Sequence, residues 1–210
     1  MYKRQKNSET SLRTFIGRDL SKLTLGVVGT GAIGAAVCRT ANSFGMNILG
    51  YDINQKQELI DKYHIKYVSF NELVKASDII SLHLPYTGEN YHMFNEKTFS
   101  DMTENSYFIN TSRGELVDLG ALYKYVENGK LKGVALDVLT CENVNTKCAG
   151  FDKFKDELSL DCLNELLYVE KLNGFDNVII TPHIAYETHD AIDYILAVSY
   201  THLRAHETPE

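Results

Sequence analysis

Two rhythms of apolar and polar positions alternate along the chain. Short, buried-looking apolar runs predict strands over Leu23–Val28, Asn47–Tyr51, Lys66–Val68, Ile79–Leu82, Tyr107–Asn110, Gly133–Leu136 and Asn177–Ile180. Between most of them, apolar residues recur at helical spacing, over Ala32–Phe44, Gln55–Tyr63, Asn71–Ala76, Asn95–Met102, Leu119–Asn128 and Asp161–Leu172. Strands that alternate with helices build right-handed βαβ units and a parallel sheet. The expected fold class is therefore α/β, a doubly wound parallel sheet with helices on both faces. One stretch breaks the rhythm. Asn143 to Phe175 contains no strand, and Phe151–Glu157 reads as an irregular polar-aromatic loop, a kind of segment that usually serves a site or an interface.

The two ends follow neither rhythm. Met1–Thr10 is polar and aperiodic, and Ser199–Glu210 abandons the apolar pattern before it. Both are read as translated adapter sequence, which leaves residues 11–198 as one domain with non-native tails at 1–10 and 199–210. His202 and His206 stand at i, i+4 within that tail, but two ligands do not make a metal site, and no metal is expected.

Composition narrows the partners. The formal charge of −7, from 21 Lys+Arg against 28 Asp+Glu, offers little to a phosphate backbone, so nucleic acid is not expected as a partner. No apolar run has the length of a membrane span or of a signal peptide, so a membrane partner is not expected and a cytoplasmic address is. Cys38, Cys141, Cys148 and Cys162 form no C-x-x-C pair and are expected to be isolated thiols.

The chemistry begins at Gly29-Thr30-Gly31-Ala32-Ile33-Gly34, which follows an apolar strand and opens a helix. In that context Gly29 permits the tight turn, Gly31 lets the backbone approach a pyrophosphate, and Gly34 lets helix and sheet pack closely. The phosphates would rest on the helix amides and the positive end of its dipole. Asp52 ends the second strand, 18 residues beyond Gly34, where a carboxylate can accept from the adenine ribose hydroxyls and would repel a 2′-phosphate. Positions 53 to 57 carry no arginine to offset that repulsion, so NAD is expected over NADP.

Three polar residues follow strand ends, where open parallel sheets bind ligands. Arg113 comes after Tyr107–Asn110, Glu142 after Gly133–Leu136, and His183 after Asn177–Ile180. Arginine can grip a carboxylate with two prongs and polarise a carbonyl. Histidine titrates near neutrality and can deliver the proton that accompanies a hydride. A carboxylate beside it favours the imidazolium and fixes the ring. These types suit hydride transfer on a 2-oxo or 2-hydroxy acid.

Five motifs in order carry a resemblance: the glycine fingerprint, Ser81-Leu82-His83-Leu84-Pro85, Asn110-Thr111-Ser112-Arg113-Gly114-Glu115-Leu116-Val117-Asp118, Ala135-Leu136-Asp137-Val138 and Ile180-Thr181-Pro182-His183. Together they resemble the D-isomer-specific 2-hydroxyacid dehydrogenases over Ser11 to Val198. The long segment between Glu142 and His183, with the ending Ile184-Ala185-Tyr186, is similar to the D-lactate dehydrogenase branch. The resemblance implies an NAD-dependent oxidoreductase acting on a small 2-oxo acid such as pyruvate. In it Arg113 binds the substrate carboxylate, His183 is the acid/base and Glu142 is the partner of His183. It also implies that Ala32 and Ile33 offer amides to the pyrophosphate. Leu84, Pro85 and Asn90 would border the adenosine, Thr111, Ser112, Arg113, Asp137 and His183 the nicotinamide end of the cofactor, and Tyr186 the substrate. A homodimer is implied as well. Members carry a substrate domain ahead of the Rossmann strand, where this chain has only a short polar lead, so that domain is expected to be largely absent. Cys141 stands where members often carry an acid. The alternatives are a dehydrogenase-like NAD sensor of the corepressor kind, and the 2-hydroxyisocaproate, glycerate or phosphoglycerate branches of the same family.

Overall fold

A computed structural model describes residues 17–141 and 160–193. Seven strands form one sheet: β1 (Thr24–Val28), β2 (Asn47–Tyr51), β3 (Lys66–Tyr67), β4 (Ile79–Leu82), β5 (Ser106–Asn110), β6 (Leu131–Leu136) and β7 (Val178–Ile180). Their order is β3-β2-β1-β4-β5-β6-β7, and every pairing is parallel. The chain winds outward from β1 to one edge, returns to the centre at β4, and winds outward to the other. This is the expected doubly wound α/β sheet.

Among the described residues the α-helices are α1 (Ala32–Ser43), α2 (Gln57–Tyr63), α3 (Phe70–Ala76), α4 (Glu96–Asp101), α5 (Leu119–Glu127) and α6 (Leu160–Asn173). Alternation along the strands divides the core in two. Leu25 and Val27 turn to one face and pack with Cys38, Ala41, Ile48, Leu59 and Ile65, under α1 and α2. Val28, Ile80, Leu82, Phe108, Val134 and Leu136 turn to the other, against Leu73 of α3, Phe99 of α4, Leu122 of α5 and Leu172 of α6. Each such side chain removed from water stabilises the fold by about 1.5–3 kcal/mol. Beyond β1 the first face is less covered among the described residues. There Tyr107, Ile109, Ala135 and Ile179 line a shallow apolar cavity of about 460 Å³.

Boundaries moved where local signals were weak. β6 starts at Leu131, two residues before the expected Gly133, because buried Leu131 extends the ladder past exposed Lys132. α2 starts at Gln57 rather than Gln55. The cysteines need a larger correction. Cys141 and Cys162 are joined in a disulfide across 21 residues with a Cα–Cα distance of 6.0 Å, within the ordinary range for such a bond. The expectation of isolated thiols holds for Cys38, which is free and buried. Cys148 lies outside the described residues, as do both tails with His202 and His206. Among the described residues no helix is long and apolar enough to cross a membrane, and no cluster of His, Cys, Asp and Glu could hold a metal ion.

Register fixes the place of the site. Val28 pairs with Tyr51 and Leu82, Leu82 with Asn110, Asn110 with Leu136, and Leu136 with Ile180. These last strand residues form one row across the sheet. The residue after each is Asp52, Gly29, His83, Thr111, Asp137 or Thr181. Six residues contiguous with the predicted motifs thus stand along one carboxyl edge.

Candidate active site

The left half of that edge is built on the glycine turn. Gly29 has φ +93°, a conformation closed to most side chains, and its amide donates to the Tyr51 carbonyl at 2.8 Å. A Cβ on Gly34 would fall on the Gly29 carbonyl oxygen, so only glycine lets α1 begin this close to the turn. A Cβ on Gly31 would meet nothing within 4 Å, which leaves open space in front of it. The side chains of Ser69, Asn95 and Asp118 cap α3, α4 and α5, whereas Gly31 gives α1 no side-chain cap. The first-turn amides of α1, at exposed Ala32 and Ile33, therefore keep their capacity for an anion.

Asp52 sits across the turn. Its Oδ2 accepts from the Thr30 amide at 2.6 Å and from the Thr30 hydroxyl at 3.0 Å, and its Oδ1 accepts from the Asn54 amide at 2.8 Å. A carboxylate has about four acceptor positions, so one remains for a ribose hydroxyl. Burial alone would raise its pKa, but those donors and the charge of Lys56 outweigh burial and hold the carboxyl below its usual range. Two neighbours of Asp52 stand outside the expected site residues: Lys56, in the loop that lacks arginine, and Tyr67, whose hydroxyl lies 2.8 Å from the Thr30 hydroxyl. Thr30 gives its one proton to Asp52, so Tyr67 donates to Thr30 while accepting from the Lys56 amide at 3.2 Å.

A cleft of about 520 Å³ opens here, lined by Gly29, Gly31, Asp52, Leu84, Pro85 and Asn90 among others. The three residues expected beside the adenosine share its wall with the glycine turn. The Asn90 side chain closes the loop, donating to the Pro85 carbonyl and accepting from the Thr87 amide. His83, quoted in a motif but given no role, also lines the cleft. Burial pushes its imidazole down to about 4, so the ring is neutral, and its Nε2 lies 3.0 Å from the Ser81 hydroxyl.

The right half carries the residues expected to act on the substrate. Buried Asn110 shapes the turn after β5: its Oδ1 accepts from the amide and hydroxyl of Ser112, and its Nδ2 donates to the Arg113 carbonyl at 2.8 Å. Arg113 is exposed and its guanidinium folds back on the Ser112 carbonyl at 2.6 Å. The Asp137 amide donates to the Asn110 carbonyl, joining this turn to the next strand end. Asp137 is 4% exposed, and its carboxylate accepts from the Thr181 hydroxyl at 2.5 Å, the Ile184 amide at 3.0 Å and the Ala185 amide at 2.9 Å. Burial would raise its pKa. Those bonds and the charge of His183 together hold it below its usual value.

Asp137 was expected to line the nicotinamide side, and its visible work is to clamp the turn that bears His183. His183 has φ +55°, a left-handed conformation that persists only where its surroundings enforce it. The three bonds to Asp137 do so from both sides of His183. The Tyr186 ring stands edge-on to the imidazole with centroids 5.8 Å apart. Arg113 and His183 follow β5 and β7, which flank β6, so the strand ends that carry them are about 10 Å apart. Glu142 lies outside the described residues.

Two titrations oppose each other in this half of the molecule and beside the cleft. Glu165 on α6 is pushed up to about 7, by burial first and then by the charge of Asp118. His83 is depressed instead. As pH falls from 6.5 toward 4, an unfolded His83 takes up a proton that the folded one refuses, and stability is lost by about 3 kcal/mol. As pH rises from 4.5 toward 7, an unfolded Glu165 releases its proton first. Stability is then lost in the other direction, by about 1–2 kcal/mol for this partly solvated group. Urea unfolding of the chain between pH 4.5 and 7 is expected to show the two slopes opposing. The difference between wild type and His83→Gln should grow with pH in the same sense as the His83 slope, and Glu165→Gln should differ in the reverse sense. pH slopes of the same sign for the two differences would show that at least one group titrates normally.

The glycine turn, the acid Asp52 at the end of the second strand and the open first turn of a helix at a sheet switch point define a dinucleotide-binding domain. The family model for the D-isomer specific 2-hydroxyacid dehydrogenase NAD binding domain matches residues 1–185, and the chain belongs to that family. It is 35% identical to an aromatic 2-oxoacid reductase of Clostridium sporogenes over 209 residues, 98% of this chain and 59% of the relative. It is 36% identical to a D-lactate dehydrogenase of Lactiplantibacillus plantarum over 184 residues, 88% of this chain and 52% of the relative. The crystal structure of a D-lactate dehydrogenase from Aquifex aeolicus complexed with NAD and lactic acid superimposes with a TM-score of 0.86 at 39% identity, covering 97% of this chain and 59% of that one. The chain thus spans between half and three fifths of the length of these relatives.

Proposed function

We propose that the complete protein reduces a small 2-oxo acid, of the size of pyruvate, to its D-2-hydroxy acid with NADH. The observation that carries this reading is the single register row that sets the Asp52 turn, the Asn110-built Arg113 turn and the Asp137-clamped His183 turn along one edge of the sheet. The residues fit a dinucleotide: Gly31 faces open space, the α1 amides lack a side-chain cap, and Asp52 keeps one acceptor position. When bound, NAD supplies the hydride acceptor or donor. Every other part of the task falls to the chain.

Arg113 leaves the Ser112 carbonyl and takes the substrate carboxylate in a two-pronged grip, which orients the 2-oxo group and polarises it. His183 as imidazolium donates a proton to the carbonyl oxygen as it becomes an alkoxide, and takes the proton back in the reverse direction. Glu142 favours the charged ring. Asp137 holds the turn so that the imidazole stays in place, and Tyr186 limits the space beside it. Thr111 and Ser112 border the nicotinamide side.

Steady-state NADH oxidation by the complete protein, with pyruvate, phenylpyruvate and glyoxylate in turn, tests the proposal. Turnover of a 2-oxo acid is expected, with NADH preferred to NADPH. Asp52→Ala should shrink that preference by about tenfold, the worth of one charge-assisted hydrogen bond of about 1.5 kcal/mol. No turnover with any of the three acids would overturn the assignment, and an unchanged cofactor ratio in Asp52→Ala would remove Asp52 from ribose recognition.

A further inference from the structure

Cys141 lies after β6 and Cys162 within α6, and each is half-buried. Cys162 is the third residue of α6. That helix is anchored on the body of the domain through buried Leu166 and Leu172 and through Tyr168, whose ring packs on Tyr123 of α5 at 5.9 Å. Cys141 belongs to the loop after β6 and has φ +60°, a left-handed backbone that a cysteine adopts only under constraint. The disulfide therefore ties a strained loop to a fixed helix.

The loop has a consequential neighbour. A Cβ on Gly114 would collide with the backbone carbon of Leu139 and the backbone nitrogen of Thr140. The backbone two residues before Cys141 is thus pressed directly on Gly114, the residue that follows Arg113. Gly114 and Leu116 are both buried there, and the 3₁₀ turn Gly114–Leu116 begins with Arg113 as its cap. A change in how Cys141 is held has a short path to Arg113: through Thr140 and Leu139 to Gly114, and one peptide further.

We propose that Cys141 and Cys162 form a redox-responsive clamp that sets the position of Arg113, and so the affinity for the 2-oxo acid, according to the thiol–disulfide balance around the protein. The oxidant is a low-molecular-weight disulfide. One protein thiolate attacks it to give a mixed disulfide and one small thiol. The second cysteine then displaces the other small thiol, forming the Cys141–Cys162 bond. Two electrons pass from the protein dithiol to the small disulfide, and the two protons end on the two small thiols. In the oxidised protein the 139–141 backbone stays against Gly114. Reduction releases Cys141 from its constrained conformation and loosens the support under Arg113. This inference rests on Arg113 binding the substrate carboxylate, but the clamp itself can be read without substrate.

The test equilibrates the complete protein, and its Cys141→Ser and Cys162→Ser variants, in buffers of graded reduced-to-oxidised glutathione. Peptide-mapped alkylation should show Cys141 and Cys162 becoming labelled together as the buffer is made reducing. Cys38, buried and with its thiol pushed up to about 12, should stay unlabelled as an internal control. Over the same range, amide hydrogen exchange of residues 112–117 should quicken. KM for the 2-oxo acid should rise at least threefold, with NADH affinity unchanged within twofold. Both serine variants should sit at the reduced value in every buffer. Labelling of both cysteines at all ratios would overturn the proposal. So would disulfide formation that leaves exchange at 112–117 unchanged. If no 2-oxo acid is turned over, the functional assignment fails, and the alkylation and exchange data still decide whether the clamp exists.

Discussion

Replacing His183 with asparagine in the complete protein is expected to lower kcat by about 10²- to 10⁴-fold, the ordinary worth of a positioned general acid. Asparagine is the informative choice because it tolerates the left-handed conformation that position 183 adopts at φ +55°, as few other residues do. The turn should survive the change, since the bonds that hold it run from Asp137 to Thr181, Ile184 and Ala185 and use no atom of the imidazole. The loss should therefore be chemical rather than structural. kcat and kcat/KM should fall together, because the missing proton donor acts only as charge develops on the carbonyl oxygen. NADH affinity by calorimetric titration should stay within twofold of wild type, because the cleft built on Gly29, Gly31 and Asp52 lies in the other half of the sheet edge. A variant that keeps a third or more of wild-type turnover would remove His183 from the proton transfer. A variant that loses NADH binding as well would show that the His183 side chain holds the cofactor site together, and the fall in kcat would then not report proton transfer.

What could be read in advance divides along a physical line. Elements written in local pattern were legible: Leu25–Val28 reads as a buried parallel strand because each of its residues is buried from both sides. The glycine fingerprint was legible for the same reason, since its spacing reflects one turn and one helix start. Interactions between distant segments were not. The bonds from Asp137 to Thr181, Ile184 and Ala185 span more than forty residues, and nothing near Asp137 in sequence distinguishes a clamp from a solvated acid. The disulfide of Cys141 and Cys162 was missed because their spacing matches no local motif, and pairing cannot be deduced from spacing alone. Two omissions had a signal. Lys56 lies in the loop whose lack of arginine carries the expectation of NAD over NADP. His83 belonged to a motif already quoted, directly after a strand, which is the position that the sheet's geometry marks for ligands. Tyr67 had none, because its link to Asp52 runs through Thr30 on a different strand connection.

The fingerprint glycines make separable predictions, because the structure gives two of them opposite surroundings. Gly34→Ala is expected to destabilise the chain by about 3 kcal/mol, at the upper end of what overpacking costs. Its new Cβ would fall on the Gly29 carbonyl oxygen and 3.0 Å from the carbonyl carbon, both backbone atoms. Gly29 cannot yield easily. Its amide is bonded to the Tyr51 carbonyl, and a side chain in its place would meet the His83 backbone. Relief must come from α1 moving off β1, which breaks the packing of Cys38 and Ala41 on Leu25 and Val27. Gly31→Ala has no such consequence. Its Cβ meets nothing within 4 Å, and its φ of −60° with ψ of −152° lies at the margin of the extended region, so stability should fall by about 1 kcal/mol, well short of the cost at Gly34. The open space is where a pyrophosphate would approach the backbone, so NADH affinity should fall at least tenfold, about 1.4 kcal/mol. Urea unfolding and NADH titration on both variants separate the two roles: one glycine holds the helix to the sheet, and the other keeps room for the phosphates. A Gly31→Ala protein that binds NADH as tightly as wild type would place the phosphates elsewhere. A Gly34→Ala protein of undiminished stability would mean that α1 can slide on the sheet without loss, against the packing that defines this half of the core.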